Sequence, residues 1–246
     1  MHRIEAQDIA NSGWNYTDPN SFITLSFWVK SSVAQNFYGF LRTSDGTAQL
    51  YPFETGSLSQ DAWTKITKTI PGNSNLQFDN NVNIGLEIEW DMFRGTDTTG
   101  SISLNAWGAY NSSVRIPDMT STWYETDNAT FELTGVQLEV GSQATPFEHR
   151  SFGEELALCQ RYFYKYDLAG IQMNLNRSGG RRVANVYFPT EMRTNPSVTI
   201  TTQFDDGGAT ISADGIRTKH FYFVQASSSA SNDAPNVSVF TSDAEL

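Results

Sequence analysis

Apolar and polar residues alternate with a period of two along most of this chain. In FITLSFWVKSS, Ile23, Leu25, Phe27 and Val29 fall on one face, and Thr24, Ser26, Trp28 and Lys30 fall on the other. That is the pattern of a half-buried β-strand. AWTKITKTIPG reads as a second strand, closed by the turn pair Pro71-Gly72. In NIGLEIEWDM, Ile84, Leu86, Ile88, Trp90 and Met92 share one face, and Gly85, Glu87, Glu89 and Asp91 share the opposite, polar one. TFELTGVQLEVG keeps Phe131 and Leu133 on one phase and Val136, Leu138 and Val140 on the other, so the slip at Thr134-Gly135 predicts a β-bulge. Weaker strands are expected over 37–42, 49–54 and 101–109. Short strands and turns over about 140 residues predict two antiparallel sheets packed face to face. Further on, QRYFYKYD, RRVANVYFP, SVTITT, ATISAD, HFYFVQAS and NVSVFTSD read as strands of a second, smaller β domain, separated by the loops NRSGG, DDGG and SSSASNDAP. The fold class is therefore all-β.

One segment breaks the rhythm. In SFGEELALCQRYF, residues Phe152, Leu156, Cys159 and Phe163 recur at helical spacing, and Ser151 with Glu154 forms a capping-box pair. A helix of about three turns is marginal alone in water. Its stripe therefore needs a partner, either further copies of the chain around a symmetry axis or the preceding sandwich.

Composition agrees with β-sandwiches. The 246 residues include 16 Phe, 10 Tyr and 6 Trp with only 17% charged residues, and aromatic and small polar side chains suit strands and turns. The net charge of −11 argues against nucleic acid and against an anionic membrane surface, which both need clustered Lys and Arg. No run approaches the roughly 20 apolar residues of a membrane span, so membrane insertion is not expected, and the N-terminus lacks the apolar stretch of a signal peptide. With Cys159 as the one cysteine and His2, His149 and His220 far apart, neither a disulfide within the chain nor a metal or cofactor site is expected.

Candidate chemistry is sparse. Glu87, Glu89 and Asp91 project from one strand face about 7 Å apart, a separation that a glycosidase pair could use. Charges on a solvent-facing strand are the more ordinary explanation, and as a calcium site the three lack a loop motif. No nucleophile, zinc or phosphate-loop motif occurs, so no catalytic residue is assigned. Sugar binding is the better-supported chemistry. Trp28 has the parity opposite to the core positions and offers a ring for stacking, with Trp107 as a second candidate. Either ring could instead plug the sandwich edge. Arg177, Arg181 and Arg182 cluster in an otherwise acidic chain and suit an anionic glycan, or salt bridges across a subunit contact.

The string TGVQLEVGSQATPFEHRSFGEELALCQRYF, 134–163, resembles a junction found in bacteriophage tail-fibre and receptor-binding proteins. IEAQDI, TLSFWVKSS and TKTIPG resemble the strands before that junction, and FPTEMRTNPSVTI and SDAEL resemble the domain after it. The resemblance implies a jelly-roll carbohydrate-binding-like domain over 1–148, a helical junction over 149–165 and a C-terminal β-sandwich tip over 166–246. It implies a homotrimer on a virion, with Phe152, Leu156, Cys159 and Phe163 at the trimer interface and other tail proteins as partners. The function expected is non-enzymatic attachment to bacterial surface polysaccharide or lipopolysaccharide by a protein made in the bacterial cytoplasm. A fibre-borne depolymerase and a structural connector are the alternatives. The chain starts close to the first jelly-roll strand, so it is expected to be a fragment or to attach through that domain or another fibre protein. Receptor contact is expected at the tip loops, through Arg177, Arg181, Arg182, Asp205, Asp206 and Tyr222, with Trp28 and Trp107 as the competing surface.

Overall fold

The computed structural model describes residues 1–172, 182–204, 211–225 and 236–245. Among these are fourteen strands and three short helices, and the fold is all-β. No helix among the described residues is long and apolar enough to cross a membrane. Contacts divide the chain into two units, Met1–Glu148 and His149–Glu245.

The first unit contains β1 (His2–Glu5), α1 (Ala6–Ala10), β2 (Phe22–Ser31), β3 (Asn36–Thr43), β4 (Gln49–Ser57), β5 (Thr64–Pro71), β6 (Ile84–Asp91), β7 (Gly108–Ala109), α2 (Thr122–Glu125) and β8 (Phe131–Val140). One sheet has the order β1-β6-β3-β4-β7 and the other β5-β2-β8, with antiparallel pairing throughout. Between them lies a core of Ile23, Leu25, Phe27 and Val29 from β2, Ile66 and Ile70 from β5, and Phe37, Leu41, Tyr51, Phe53, Leu86 and Ile88 from the larger sheet. The alternation in β2 is realised: these four residues are 0–2% exposed, while Trp28 points outward. The bulge also forms. Ser26 stands opposite Gln137 and Trp28 opposite Thr134, so Gly135 and Val136 together face Phe27. Gly135 takes φ +58°, a left-handed conformation that glycine adopts without a Cβ penalty.

Two expectations need correction here. The strand over 101–109 shrinks to Gly108–Ala109. More consequentially, the face of β6 bearing Glu87, Glu89 and Asp91 is not open to solvent. Segment 92–121 folds across it, and Ile116 packs with Phe40 and Leu50 against Ile102, Tyr110 and Met119. The sheet is thus covered on both faces, and the carboxylates lie beneath a roof that combines this apolar cluster with ion pairs.

The second unit contains α3 (Phe152–Gln160), β9 (Phe163–Gln172), β10 (Arg182–Tyr187), β11 (Ser197–Phe204), β12 (Ile211–Asp214), β13 (His220–Gln225) and β14 (Asn236–Asp243). Sheets β10-β13-β12 and β11-β14-β9 enclose Val186, Phe188, Met192, Ile211, Phe221, Phe223, Val237 and Phe240. Phe240 meets the edges of Phe221 and Phe223 at ring separations of 5.3 and 5.4 Å, a favourable T-shaped arrangement. All six strands read from the sequence are present.

The helix begins as the sequence predicts. The Ser151 hydroxyl accepts from the Glu154 amide at 3.3 Å, and the Glu154 carboxylate accepts from the Ser151 amide at 3.1 Å. It ends sooner than expected: Phe163 is the first residue of β9, opposite Asp243 of β14, and does not extend the helical stripe. The run Tyr162-Phe163-Tyr164 favours extended backbone, and pairing with β14 overrides the helical period.

Candidate functional site

The outward face of the three-stranded sheet is divided in two. Over one half, segment 141–148 returns across the strands. Thr24 Oγ1 donates to the Gly141 carbonyl at 2.8 Å, and Thr69 Oγ1 to the Ser142 carbonyl at 3.2 Å. The Thr145 hydroxyl donates to Glu139, the Thr145 amide donates to the same carboxylate at 3.1 Å, and the Glu148 amide donates to Gln137 Oε1 at 2.8 Å. Thr24 and Ser26 are buried as a result.

The other half stays open. Here the register sets Lys65 of β5, Trp28 of β2 and Thr134 of β8 in one row. The next row along holds Lys30 and Glu132, with Trp63 beside Lys30. Lys30 Nζ lies 5.2 Å from the Trp63 ring centroid and 2.7 Å from Glu132 Oε1. Trp28 is 42% and Trp63 44% exposed. Trp28 leans over the bulge: its Cδ1 is 3.3 Å from where a Cβ on residue 135 would sit, and Phe147 Cδ2 is 3.9 Å from the same point. A glycine there leaves room for both rings. The result is a shelf of two indoles bounded by Phe147 at the edge of the covering segment. Trp63 and Phe147 escaped the sequence reading. The parity of Ile66 and Ile70 places Trp63 outward, so that signal was available, whereas nothing local marked Phe147.

Trp107, the other assigned residue of the first unit, does not join this shelf. Trp107 donates its indole N–H to the Pro71 carbonyl at 2.8 Å and packs its ring 5.3 Å from Tyr51, which makes it part of the sandwich wall. Tyr222 is half-buried, its ring against Gly215. Arg177, Arg181, Asp205 and Asp206 lie outside the described residues, and of Arg182 only the backbone, in β10, is described. Phe152, Leu156 and Cys159 are exposed on α3, which buries none of its residues, and Phe163 is exposed at the start of β9.

The roofed carboxylates form an ion-pair network. Glu87 stands between Arg3 of β1 and Arg42 of β3 and pairs with both, at 3.1 Å to Arg3. Arg94 Nη2 donates to Glu89 at 2.6 Å and to Asp91 at 2.7 Å. Arg42 and Arg115 lie 5.0 and 5.7 Å from the Tyr110 ring centroid. Burial pushes the Asp91 carboxyl above its ordinary value, against the hydrogen bond and charge of Arg94. These side chains are spent on holding the roof, a poor setting for an acid–base pair. Among the described residues no group of three or more His, Cys, Asp or Glu side chains is placed to hold a metal ion. No protein-family model matches the chain, and no curated protein matches its sequence.

Proposed function

We propose that this chain is a non-enzymatic receptor-binding component of a bacteriophage tail fibre that attaches the virion to bacterial surface glycan. The observation that carries the reading is the open shelf of Trp28 and Trp63 on a rigid sheet. Exposed indoles accept the C–H face of a sugar ring, and neighbouring polar side chains accept or donate hydrogen bonds to its hydroxyls. The junction motif supplies the tail-fibre context. The helix supports a homotrimer: nine residues with no buried side chain gain order when apolar positions such as Phe152, at 82% exposure, pack against copies of themselves. Three weak sites on one fibre, and several fibres on one particle, bind by avidity. A second contact through Arg177, Arg181, Arg182, Asp205 and Asp206 is part of the same proposal.

The test is adsorption of the purified chain to bacterial cells. Periodate oxidation of the cell surface should abolish binding and protease treatment should leave it intact, with no release of reducing ends. Binding lost to protease and kept after periodate would assign a protein receptor. Release of reducing ends would make the chain a depolymerase. Binding to tail proteins with none to cells would make it a connector.

A further inference from the structure

We infer that the Trp28 shelf reads the free end of a glycan chain and not an internal stretch of it; the inference rests on the glycan-binding reading above. The placement of the two indoles decides it. Trp28 stands opposite Lys65, and Trp63 lies two residues before Lys65. The two side chains are therefore diagonal neighbours across adjacent strands, about 7–8 Å apart at the backbone. Two consecutive sugar rings can span that distance, one on each indole. The line from Trp63 through Trp28 continues diagonally onto β8, where Gln137 stands opposite Ser26. That position is taken by the covering segment: Gln137 Oε1 accepts from the Glu148 amide at 2.8 Å, and its Nε2 donates to the Thr145 hydroxyl at 3.3 Å. Phe147 stands at the same place, 47% exposed, its ring and that of Trp28 both resting beside Gly135. Directly behind Trp28 on its own strand, Ser26 is buried.

In the opposite direction the line leaves the sheet. β5 is an edge strand, and Trp63, just before it, is exposed. The track is thus closed beyond Trp28 and open beyond Trp63. An internal stretch of glycan would have to continue past Trp28, where it meets Phe147 and Glu148. A terminal residue on Trp28, followed by the next residue on Trp63, lets the chain run out over the sheet edge. The polar groups divide in the same way. Lys65 and Thr134 flank Trp28 in one row, at hand for the hydroxyls that only an end residue leaves free. Lys30, 2.7 Å from Glu132 and 5.2 Å from the Trp63 ring centroid, offers the second ring a donor with little side-chain freedom left to lose. A glycan anchored in a cell envelope presents its non-reducing end outward, so that is the end assigned to Trp28.

The experiment uses the full chain and polysaccharide from cells to which it adsorbs, separated by size without cleavage so that every molecule keeps its native distal end. Calorimetric titration should give one polysaccharide molecule per protomer at every length. Mono- and disaccharides matching that distal end then serve as competitors. Trp28→Ala should weaken both about tenfold or more, whereas Trp63→Ala should weaken the disaccharide several-fold more than the monosaccharide. Trp28→Tyr, which keeps a ring, should fall between the parent and Trp28→Ala, and all three variants should keep the parent's fluorescence-detected unfolding midpoint to within about 0.3 M urea. A number of bound protomers that rises in proportion to polysaccharide length would overturn end recognition and leave the attachment reading standing. Binding untouched by both Trp28→Ala and Trp63→Ala would overturn the shelf as the site. Binding of no size fraction, by a chain that still adsorbs to cells, would sink the glycan reading itself and this inference with it.

Discussion

Removing the Glu87 carboxylate should cost the first unit about 2 kcal/mol. Glu87 has a side chain only 4% exposed and is flanked by Arg3 and Arg42, whose side chains are 34% and 31% exposed. Breaking a fully buried ion pair by deleting one partner costs roughly 3–5 kcal/mol, because the remaining charge is stranded. Here two guanidinium groups are stranded, but each reaches water along a third of its surface, which brings the cost down to about 2 kcal/mol for Glu87→Ala. Glu87→Gln keeps the shape and one acceptor and should cost about half as much. The readout is unusually clean. All six tryptophans, at 14, 28, 63, 90, 107 and 123, lie in the first unit, so indole fluorescence in urea follows that unit alone. With a slope of about 2 kcal/mol per molar, Glu87→Ala should lower the midpoint by about 1 M. Arg42→Leu in the same background should be less than additive, since its partner has already gone. A midpoint shift under about 0.2 M, or strict additivity, would refute the reasoning and show that Glu87 is solvated by water entering beneath the roof.

Three other outcomes follow from different parts of the molecule. On the proposed homotrimer, Leu156→Asp should give monomers in sedimentation experiments where the parent gives trimers, and Cys159, exposed in the single chain, should react more slowly with a thiol reagent in the parent than in the variant; equal masses and equal rates would remove α3 from the proposed interface. The Ser151 hydroxyl and amide hold the exposed Glu154 carboxyl below its ordinary value, so the capping box contributes above the unfolded pKa and is lost as pH falls through the lower, folded one. Amide exchange in 152–156 should therefore lose protection in mild acid relative to the base-line chemical rate, and Ser151→Ala should erase that pH dependence. Asp91 behaves in the opposite sense, because an acid whose folded pKa is raised is favoured protonated and weakens the fold as pH rises past its unfolded value. Asp91→Asn should then raise the urea midpoint at about pH 7 relative to that at about pH 4, compared with the parent, and an unchanged relation between the two would mean that Arg94 fully offsets the burial.

The strands were legible because burial writes itself into alternation. Leu25, Phe27 and Val29 are core, Trp28 is not, and the parity said so. The bulge was legible for the same reason, since Gly135 is where the parity of β8 slips. Glu87 and Asp91 were not. A charged residue on the second face of a strand is read as solvated, and only the folding back of segment 92–121 makes that face interior. That segment carries Ile102, Tyr110, Ile116 and Met119 at irregular spacing, so no period announces it as a covering layer. Phe163 failed differently. Its spacing from Phe152 satisfies a helix and its neighbours Tyr162 and Tyr164 satisfy a strand, and the choice is made by β14, nearly eighty residues away in sequence. The candidate site was half legible: Trp28 follows from one strand, while its companions come from just before β5 (Trp63) and from the covering segment 141–148 (Phe147), and they meet it only when the register is known.

The parity of β2 has a consequence for how such a chain can change over generations. Even-numbered positions from 28 onward meet the surroundings, and odd-numbered ones from 23 to 29 meet the core. Substitutions at 28, 30, 63 and 65 alter the outward face, while Phe27 and Val29 stay on the buried one. On the larger sheet no such freedom exists, because Arg42, Glu87 and Phe40 on its outer face hold the roof in place. Variation in surface chemistry is therefore channelled toward one sheet. A lineage can explore new surface chemistry there by single replacements while the other sheet preserves the scaffold that makes each trial foldable.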